Sequence, residues 1–168
     1  HHLRNTALML VPVAVDAGLG ELGRCGYAIS RRLGANFRLA AVSTDMPLDL
    51  DPPVDLKIRS FCSACRKCAR TCPAQAIPDG DPVEENGTRR WVIDREACLL
   101  YWGKAGSTCT ICQAVCPWTR PQSRFHKACA GAAVRWPALH ALMVAGDDLL
   151  YGKKLRRAAT PPWLERPL

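Results

Sequence analysis

Cysteine is the residue type in this sequence whose spacing points most directly to chemistry. Eight of the ten cysteines lie between Cys62 and Cys116. They include the run C-x2-C-x2-C-x3-C-P, which ends at Pro73, and the run C-x2-C-x3-C-P from Cys109 to Pro117. Thiolates are soft ligands for iron and zinc, so this density predicts a metal centre. Cysteine makes up about 6% of the chain, below the ~8–10% of short disulfide-stabilised scaffolds.

The two runs fit iron–sulfur chemistry better than the alternatives. A zinc ribbon needs only C-x2-C pairs, and a disulfide framework avoids such dense spacing. The first run has the spacing of bacterial two-cluster ferredoxins, in which the fourth cysteine binds the other cluster. The second run lacks an early cysteine, and Cys98 fills that position. Interleaving then predicts two ligand quartets: Cys62, Cys65, Cys68 and Cys116 for one [4Fe-4S] cluster, and Cys72, Cys98, Cys109 and Cys112 for the other.

The formal charge of +8 raises the question of nucleic-acid binding. Two oxidised clusters with their thiolates, at about −2 each, would lower this charge to about +4. The basic residues are dispersed and no aromatic stacking platform accompanies them, so we do not expect a nucleic acid as the partner. Arg66, Lys67 and Arg70 lie within the first run, where they offset cluster charge, dock an acidic electron donor or are simply solvated.

The elements before the cysteines must help to position them. Up to residue 53 the patterns predict a helix over 7–15, strands at 27–29 and 37–42, and a proline-rich connector at 46–53. Asn5 or Thr6 would cap the helix, and Pro12 would kink it. The stretch 7–15 is also the longest apolar run, too short for the ~20 residues of a membrane-spanning helix. No membrane span is therefore predicted.

The segments between and after the cysteines complete an α+β chain. Residues 79–90 form an exposed loop, residues 91–94 a short strand, and the tail is helical from 122 onward. In the tail, apolar spacing predicts a helix around 138–143, and residues 147–152 form a second helix that ends at glycine. The predicted parts are 1–53, 54–121 and 122–168.

The sequence on both sides of the cysteine motifs resembles the reductive dehalogenases. The resemblance rests on residues 17–24 (AGLGELGR), 27–30 (YAIS), 37–45 (FRLAAVSTD), 147–148 (DD) with 151–152 (YG), and 161–164 (PPWL). It implies that residues 1–53 are the end of a nitroreductase-like corrinoid-binding domain. A bacterial-type two-[4Fe-4S] ferredoxin-like domain would follow over 54–121, and a helical tail over 122–168.

The resemblance also implies a function. It implies a base-off cobalamin, two clusters that pass electrons to cobalt, and reductive cleavage of a carbon–halogen bond. Gly18, Gly20 and Gly23 would then let the backbone approach the corrinoid, and Arg24 would meet anionic groups nearby. The alternative is a glycine turn that ends a helix, with Arg24 solvated. The family's tyrosine proton donor belongs upstream, and no tyrosine precedes Tyr27, so the catalytic residues are unknown.

The partners implied by the resemblance are a small organohalide, an external electron donor and an upstream corrinoid domain. The donor would be a ferredoxin, a flavodoxin or a reductase domain. The corrinoid domain would belong to the same chain or to another one. We expect a cytoplasmic protein, or alternatively one exported by a twin-arginine signal upstream of this sequence.

Two other functions stay open at this point. Epoxyqueuosine reductase also joins a corrinoid domain to two such clusters and acts on tRNA. Its usual loop has Trp and Lys where this chain has Glu21 and Arg24, and its helical-repeat tail has no counterpart in the tail here. The other alternative is a stand-alone ferredoxin-type subunit that hands electrons to a separate protein.

Overall fold

The computed structural model describes residues 8–106, 108–120 and 123–153. Within these ranges the chain forms seven α-helices and four short strands. The helices are α1 (Leu10–Asp16), α2 (Ile58–Cys65), α3 (Lys67–Thr71), α4 (Arg95–Ala105), α5 (Ile111–Ala114), α6 (Arg124–Arg135) and α7 (His140–Tyr151). The strands are β1 (Glu21–Leu22), β2 (Ala28–Ile29), β3 (Val83–Glu85) and β4 (Thr88–Arg90). Two antiparallel hairpins, β1–β2 and β3–β4, thus accompany a mainly helical chain.

Helix α1 and the β1–β2 hairpin begin the described chain and pack against each other. The predicted helix is confirmed, starting at Leu10, and its proposed caps lie outside the described residues. Pro12 falls in the first turn, where proline is tolerated because its missing N–H would have no helical partner. Gly18 has a φ of +69°, and this left-handed turn leads the chain from α1 into the hairpin.

The strand predicted at 27–29 is confirmed as β2, two other strand predictions were wrong, and neither hairpin was predicted. Residues 37–42 have no regular structure, and Val42 is 92% exposed, so this apolar run has no sheet to join. Residues 91–94 are not a strand either; the second hairpin lies at 83–90, where a loop was predicted. Asn86 and Gly87 connect its strands with φ values of +51° and +71°. Asn-Gly is a strong signal for such a tight hairpin turn.

The main core forms on one face of α2. Ile58, Phe61, Cys62 and Cys65 are buried and follow the spacing of a single helical face. Helix α7 packs on α2, and the ring of Phe61 meets the ring of Trp118 edge-on at 5.7 Å between centroids. Residues from several segments close this core: Ile29, Ala35, Leu56, Trp91, Ala133 and Val144. The core therefore joins residues from both sides of the predicted boundary near residue 53.

The described part of the tail is helical, with a different division from the one expected. A 3₁₀ turn begins at Pro137, and α7 then runs without a break from His140 to Tyr151, so residues 147–152 are not a separate helix. Among the described residues no single helix has the length and composition to cross a membrane. Helices Arg124–Arg135 and Pro137–Tyr151 pass that test only together, with a bend of 118° between them. Residues 154–168, including the PPWL motif, lie outside the described residues.

Candidate iron–sulfur centre

Short helices and the turns between them present the eight motif cysteines. Cys62 and Cys65 lie on α2, and Cys68 lies on α3, which follows after a single residue. That residue, Arg66, has a φ of +53°, so the chain reverses sharply between the two helices. The remaining members follow along the chain: Cys72 ends α3, Cys98 lies on α4, Cys109 precedes α5, Cys112 lies on α5 and Cys116 precedes the 3₁₀ turn at Pro117.

One neighbourhood of thiols forms around Cys68. Burial raises the pKa of Cys68 well above its ordinary value, and the thiolates of Cys25, Cys62, Cys116 and Cys65 raise it further. Burial and the same neighbours also raise the pKa of Cys116. The pKa of Cys62 rises to about 12, again mainly through burial. The four members of the first predicted quartet therefore lie near one another, and Cys25, which is outside the motifs, lies among them.

A second neighbourhood forms around Cys98 and Cys112. Burial raises the pKa of Cys98, and the thiolates of Cys72 and Cys109 raise it further. The pKa of Cys112 rises to about 12, through burial first and then through Cys25, Cys109 and Cys72. The four members of the second predicted quartet therefore also lie near one another, again with Cys25 close by. Whether each neighbourhood binds a cluster stays a prediction, because proximity alone does not identify the ligand.

The chemistry of these donors fits clustered iron. Buried thiols that repel one another as thiolates need a positive centre before they can ionise, and bound metal supplies it. A single tetrahedral zinc, with Zn–S near 2.3 Å, needs thiolates only about 3.8 Å apart. Within the described ranges, no three His, Cys, Asp or Glu side chains converge on one ion in that way. A small cavity is instead lined by the cysteines Cys62, Cys65, Cys68, Cys112 and Cys116.

Cys25 lies against both neighbourhoods. It is buried, and it packs with Ala69 and Ile77 beside Cys68 and Cys112. Burial raises its pKa, and the backbone N–H groups of Tyr27 and Cys25 itself donate hydrogen bonds that lower it. Cys25 lies outside the motif spacing and 37 residues before Cys62, so its place beside both neighbourhoods was not predicted.

Lys67 is the buried member of the three basic residues in the first motif. Its side chain is 5% exposed and forms ion pairs with Asp147 and Asp148 of α7, the second at 2.7 Å. Arg120 donates two hydrogen bonds to Asp147 at 2.8 and 3.0 Å. Arg70, in contrast, is exposed and lies 4.0 Å from Asp79. The Asp147-Asp148 pair therefore ties α7 to the start of α3, between Cys65 and Cys68.

Arg24 is buried beside the first thiol neighbourhood, so the solvated alternative does not hold. It is 1% exposed, and its guanidinium stacks on the Trp91 ring at 4.3 Å. Its Nε donates to the carbonyl of Cys62 at 3.2 Å, and its Nη1 donates to those of Pro78 and Gly80 at 2.6 and 2.9 Å. Arg24 thus joins the N-terminal hairpin to the cysteine-bearing segments.

The three glycines near Arg24 are packed within the chain. A Cβ on Gly18 would lie 2.5 Å from the Pro52 carbonyl oxygen, and one on Gly20 would lie 2.5 Å from that of Ile29. A Cβ on Gly23 would meet the Ile29 side chain at 2.5 Å. Backbone contacts therefore require glycine at positions 18 and 20 independently of a corrinoid, whereas at Gly23 the contact is with a side chain. The predicted corrinoid contact stays a prediction.

Glu21 has a positioning role that sequence reasoning missed. Its Oε2 accepts hydrogen bonds from the backbone N–H groups of Leu56 and Ile58 at 3.0 and 3.1 Å. Its Oε1 accepts from Arg59 at 3.3 Å. The N-cap residue of α2, Lys57, is left-handed and gives no side-chain cap, so Glu21 supplies the carboxylate that this helix start favours. A residue 37 positions before Ile58 thereby fixes the helix that presents Cys62 and Cys65.

Comparison with known proteins assigns both the cysteine region and its surroundings. Residues 61–119 match the family of 4Fe-4S dicluster domains. The tetrachloroethene reductive dehalogenase of Sulfurospirillum multivorans is 39% identical over 161 residues, which is 91% of this chain and 32% of that protein. The one from Desulfitobacterium hafniense is 42% identical over 127 residues, 69% of this chain and 23% of that protein. An epoxyqueuosine reductase of Leadbetterella byssophila is 33% identical over 129 residues, 66% of this chain and 38% of that protein.

A solved structure agrees with the sequence relatives. The catabolic reductive dehalogenase NpRdhA matches with a TM-score of 0.77 and 34% identity, over 85% of this chain and 21% of that chain. The chain spans about a third, or less, of the length of the dehalogenases it matches. Over nearly its whole length, in sequence and in fold, this chain is a homologue of the reductive dehalogenases.

Proposed function

We propose that this chain holds two [4Fe-4S] clusters and delivers single electrons to a corrinoid in a reductive dehalogenase. One cluster is held by Cys62, Cys65, Cys68 and Cys116, and the other by Cys72, Cys98, Cys109 and Cys112. The observation that carries the proposal is the convergence of the eight buried or half-buried motif thiols: five of them line one cavity, and Cys72, Cys98 and Cys109 lie near one another beside it. The dicluster family match over 61–119 supports it.

The proposed reaction replaces a carbon-bound halogen by hydrogen. It consumes two electrons and one proton and releases halide, so the two electrons must arrive one at a time through the clusters. When bound, the clusters supply one-electron transfer and the corrinoid supplies cobalt for the carbon–halogen cleavage. Corrinoid dependence comes from a homologous structure described as explaining B12-dependent dehalogenation. The substrate is accordingly a small organohalide, and the electrons come from a ferredoxin, a flavodoxin or a reductase domain.

The chain's own residues hold the cysteines in place and exclude water from them. Phe61 and Trp118 are buried and pack edge-on beside Cys62 and Cys116, which keeps this side of the site dry. Glu21 fixes the start of α2, and the Lys67 ion pairs fix the start of α3 against α7. Restricted water access and fixed ligands are the means by which a protein sets cluster potentials.

We propose that the corrinoid meets the N-terminal turn through Gly18 and its neighbour Leu19. Residues 1–53 would then be the end of a nitroreductase-like corrinoid domain. Of the four predicted contact residues, Gly18 is half-buried, whereas Gly20, Gly23 and Arg24 are buried. Leu19 is 55% exposed and extends the surface next to Gly18. The buried three therefore shape the turn from within, and the side chain of Arg24 faces the cysteines.

Metal content of the intact gene product, purified without oxygen, tests the cluster assignment. We expect about eight iron and eight acid-labile sulfide per chain, and about four of each in Cys98→Ala. The matched control is Cys25→Ala, which removes a buried thiol next to both neighbourhoods and should keep about eight iron. Full iron in Cys98→Ala, or half in Cys25→Ala, would refute the quartets.

Cobalt and activity separate the dehalogenase from its alternatives. We expect about one cobalt per active unit and halide release from organohalides under a low-potential electron donor. Iron without cobalt or halide release, in the complete polypeptide, would favour a separate electron-transfer subunit. Reduction of epoxyqueuosine in tRNA would favour the other homologous enzyme.

A further inference from the structure

Arg24 carries a buried charge without a carboxylate partner. Within the described ranges it forms no ion pair, and the hydrogen bonds it makes all go to carbonyl oxygens, of Cys62, Pro78 and Gly80. A buried cation is costly unless an anion lies close to it. Arg24 instead lines the same cavity as Cys62 and Cys68, whose thiolates would supply negative charge in a bound cluster.

One nitrogen of the same guanidinium is left over. Nη2 of Arg24 is buried and has no hydrogen-bond partner, although Nε and Nη1 are both used. Arg24 also lines the cavity that all four cysteines of the first quartet share, together with Cys112 of the second. Three carbonyl bonds and the stacking on Trp91 hold the planar group in place, so the orientation of Nη2 is fixed. An unpaired donor held at the wall of a thiol-lined cavity indicates an acceptor within that cavity.

We propose that Nη2 of Arg24 donates a hydrogen bond to a sulfur atom of the cluster held by Cys62, Cys65, Cys68 and Cys116, and that this charge raises the cluster's reduction potential. Reduction adds one negative charge to the cluster, and a fixed cation beside it stabilises the reduced form. Hydrogen bonds to cluster sulfurs and local charge are among the features that set such potentials. The inference rests on the cluster assignment proposed above and adds a positioning and tuning residue to it.

The test is a redox titration followed by EPR on the anaerobic, intact gene product. The Cys98→Ala variant identifies the signal of the first cluster, because that cluster alone should remain. In Arg24→Met we expect the equilibrium constant for reduction of this cluster to fall at least tenfold. This corresponds to a fall of about 59 mV in its reduction potential for a one-electron step. The other cluster should shift less. Arg24→Lys keeps the charge and loses the planar donor, so we expect a smaller fall.

Arg70→Met is the matched control. Arg70 lies in the same cysteine motif, but its side chain is 62% exposed, so we expect less than a twofold change. If Arg24→Met does not keep its iron, the same tenfold criterion is applied to Arg24→Gln. The glutamine amide is uncharged but can still donate a hydrogen bond to a backbone carbonyl, so this variant is expected to keep the fold.

Either neutral variant with full iron and a potential within twofold of the wild type would overturn the inference and leave the cluster assignment intact. Equal shifts of both clusters would also overturn it. A wild-type protein without iron would overturn the assignment and the inference together.

Discussion

Replacing Asp147 by asparagine should weaken the packing of α7 against α3, the helix that carries Lys67 and Cys68. The substitution keeps the shape of the side chain and removes the charge that pairs with Lys67 and Arg120. Removing one partner of a buried ion pair costs about 3–5 kcal/mol. Asp148 stays 2.7 Å from Lys67, so we take the lower end, about 3 kcal/mol. At about 1.4 kcal/mol per factor of ten, local opening of α7 becomes roughly 100-fold more frequent.

Hydrogen–deuterium exchange under native, anaerobic conditions measures this opening without unfolding the protein. Amides of α7 should exchange roughly 100-fold faster in Asp147→Asn than in the wild type. The control is Asp79→Asn, which breaks an exposed contact with Arg70 at 4.0 Å. Exposed pairs contribute about 0–1 kcal/mol, so this variant should change exchange only a few-fold. The reasoning fails if α7 exchanges no faster in Asp147→Asn than in Asp79→Asn.

Three further outcomes follow from other contacts. Burial would raise the pKa of Asp147, but Arg120 and Lys67 hold this pKa below the ordinary 3.8. The ionised carboxylate therefore stabilises the fold fully above pH 3.8, and this stabilisation is lost as the pH falls below 3.8. The exchange ratio of Asp147→Asn to wild type should stay constant from about pH 7 to 5 and shrink as the pH falls below 3.8. Glu21→Ala should cost about 1–2 kcal/mol and speed exchange at the start of α2, whereas Glu21→Gln should lose less. Gly34→Ala should lower the melting temperature more than Gly87→Ala, because both have positive φ but only at Gly34 would a Cβ collide with the Trp118 backbone.

The cysteine spacing was the most informative part of the sequence because it is a local property. Cysteines separated by two or three residues fall on adjacent turns of short helices or at their ends. In the structure they do so on α2 and α3, on either side of Arg66. Helix α1 was likewise predictable from its apolar run. The prediction of which thiols lie close together depended on analogy with the known ferredoxin spacing. The identity of the bound group stays a prediction.

The errors arose where long-range contacts decide the structure. The apolar run at 37–42 has strand composition but no neighbouring strand, so nothing in its own sequence reveals that it is irregular. The hairpin at 83–90 was predictable from Asn86-Gly87, but its polar strands resembled a loop. Arg24 and Glu21 act on partners at least 35 residues away in the chain, a separation that no periodicity records.

The core shared across residue 53 limits how this region can be exchanged between proteins. Ile29 and Ala35 pack with Phe61, and Glu21 holds the start of α2. A chimera joined within the irregular stretch 46–53 would separate these partners, even though a joint there breaks no helix or strand. Gene fusion or recombination should therefore transfer the cluster-bearing segment intact only when the crossover lies before residue 20. In inheritance and in protein engineering the transferable unit must also include α6 and α7, because Ala133 and Val144 close the same core and Asp147 pairs with Lys67.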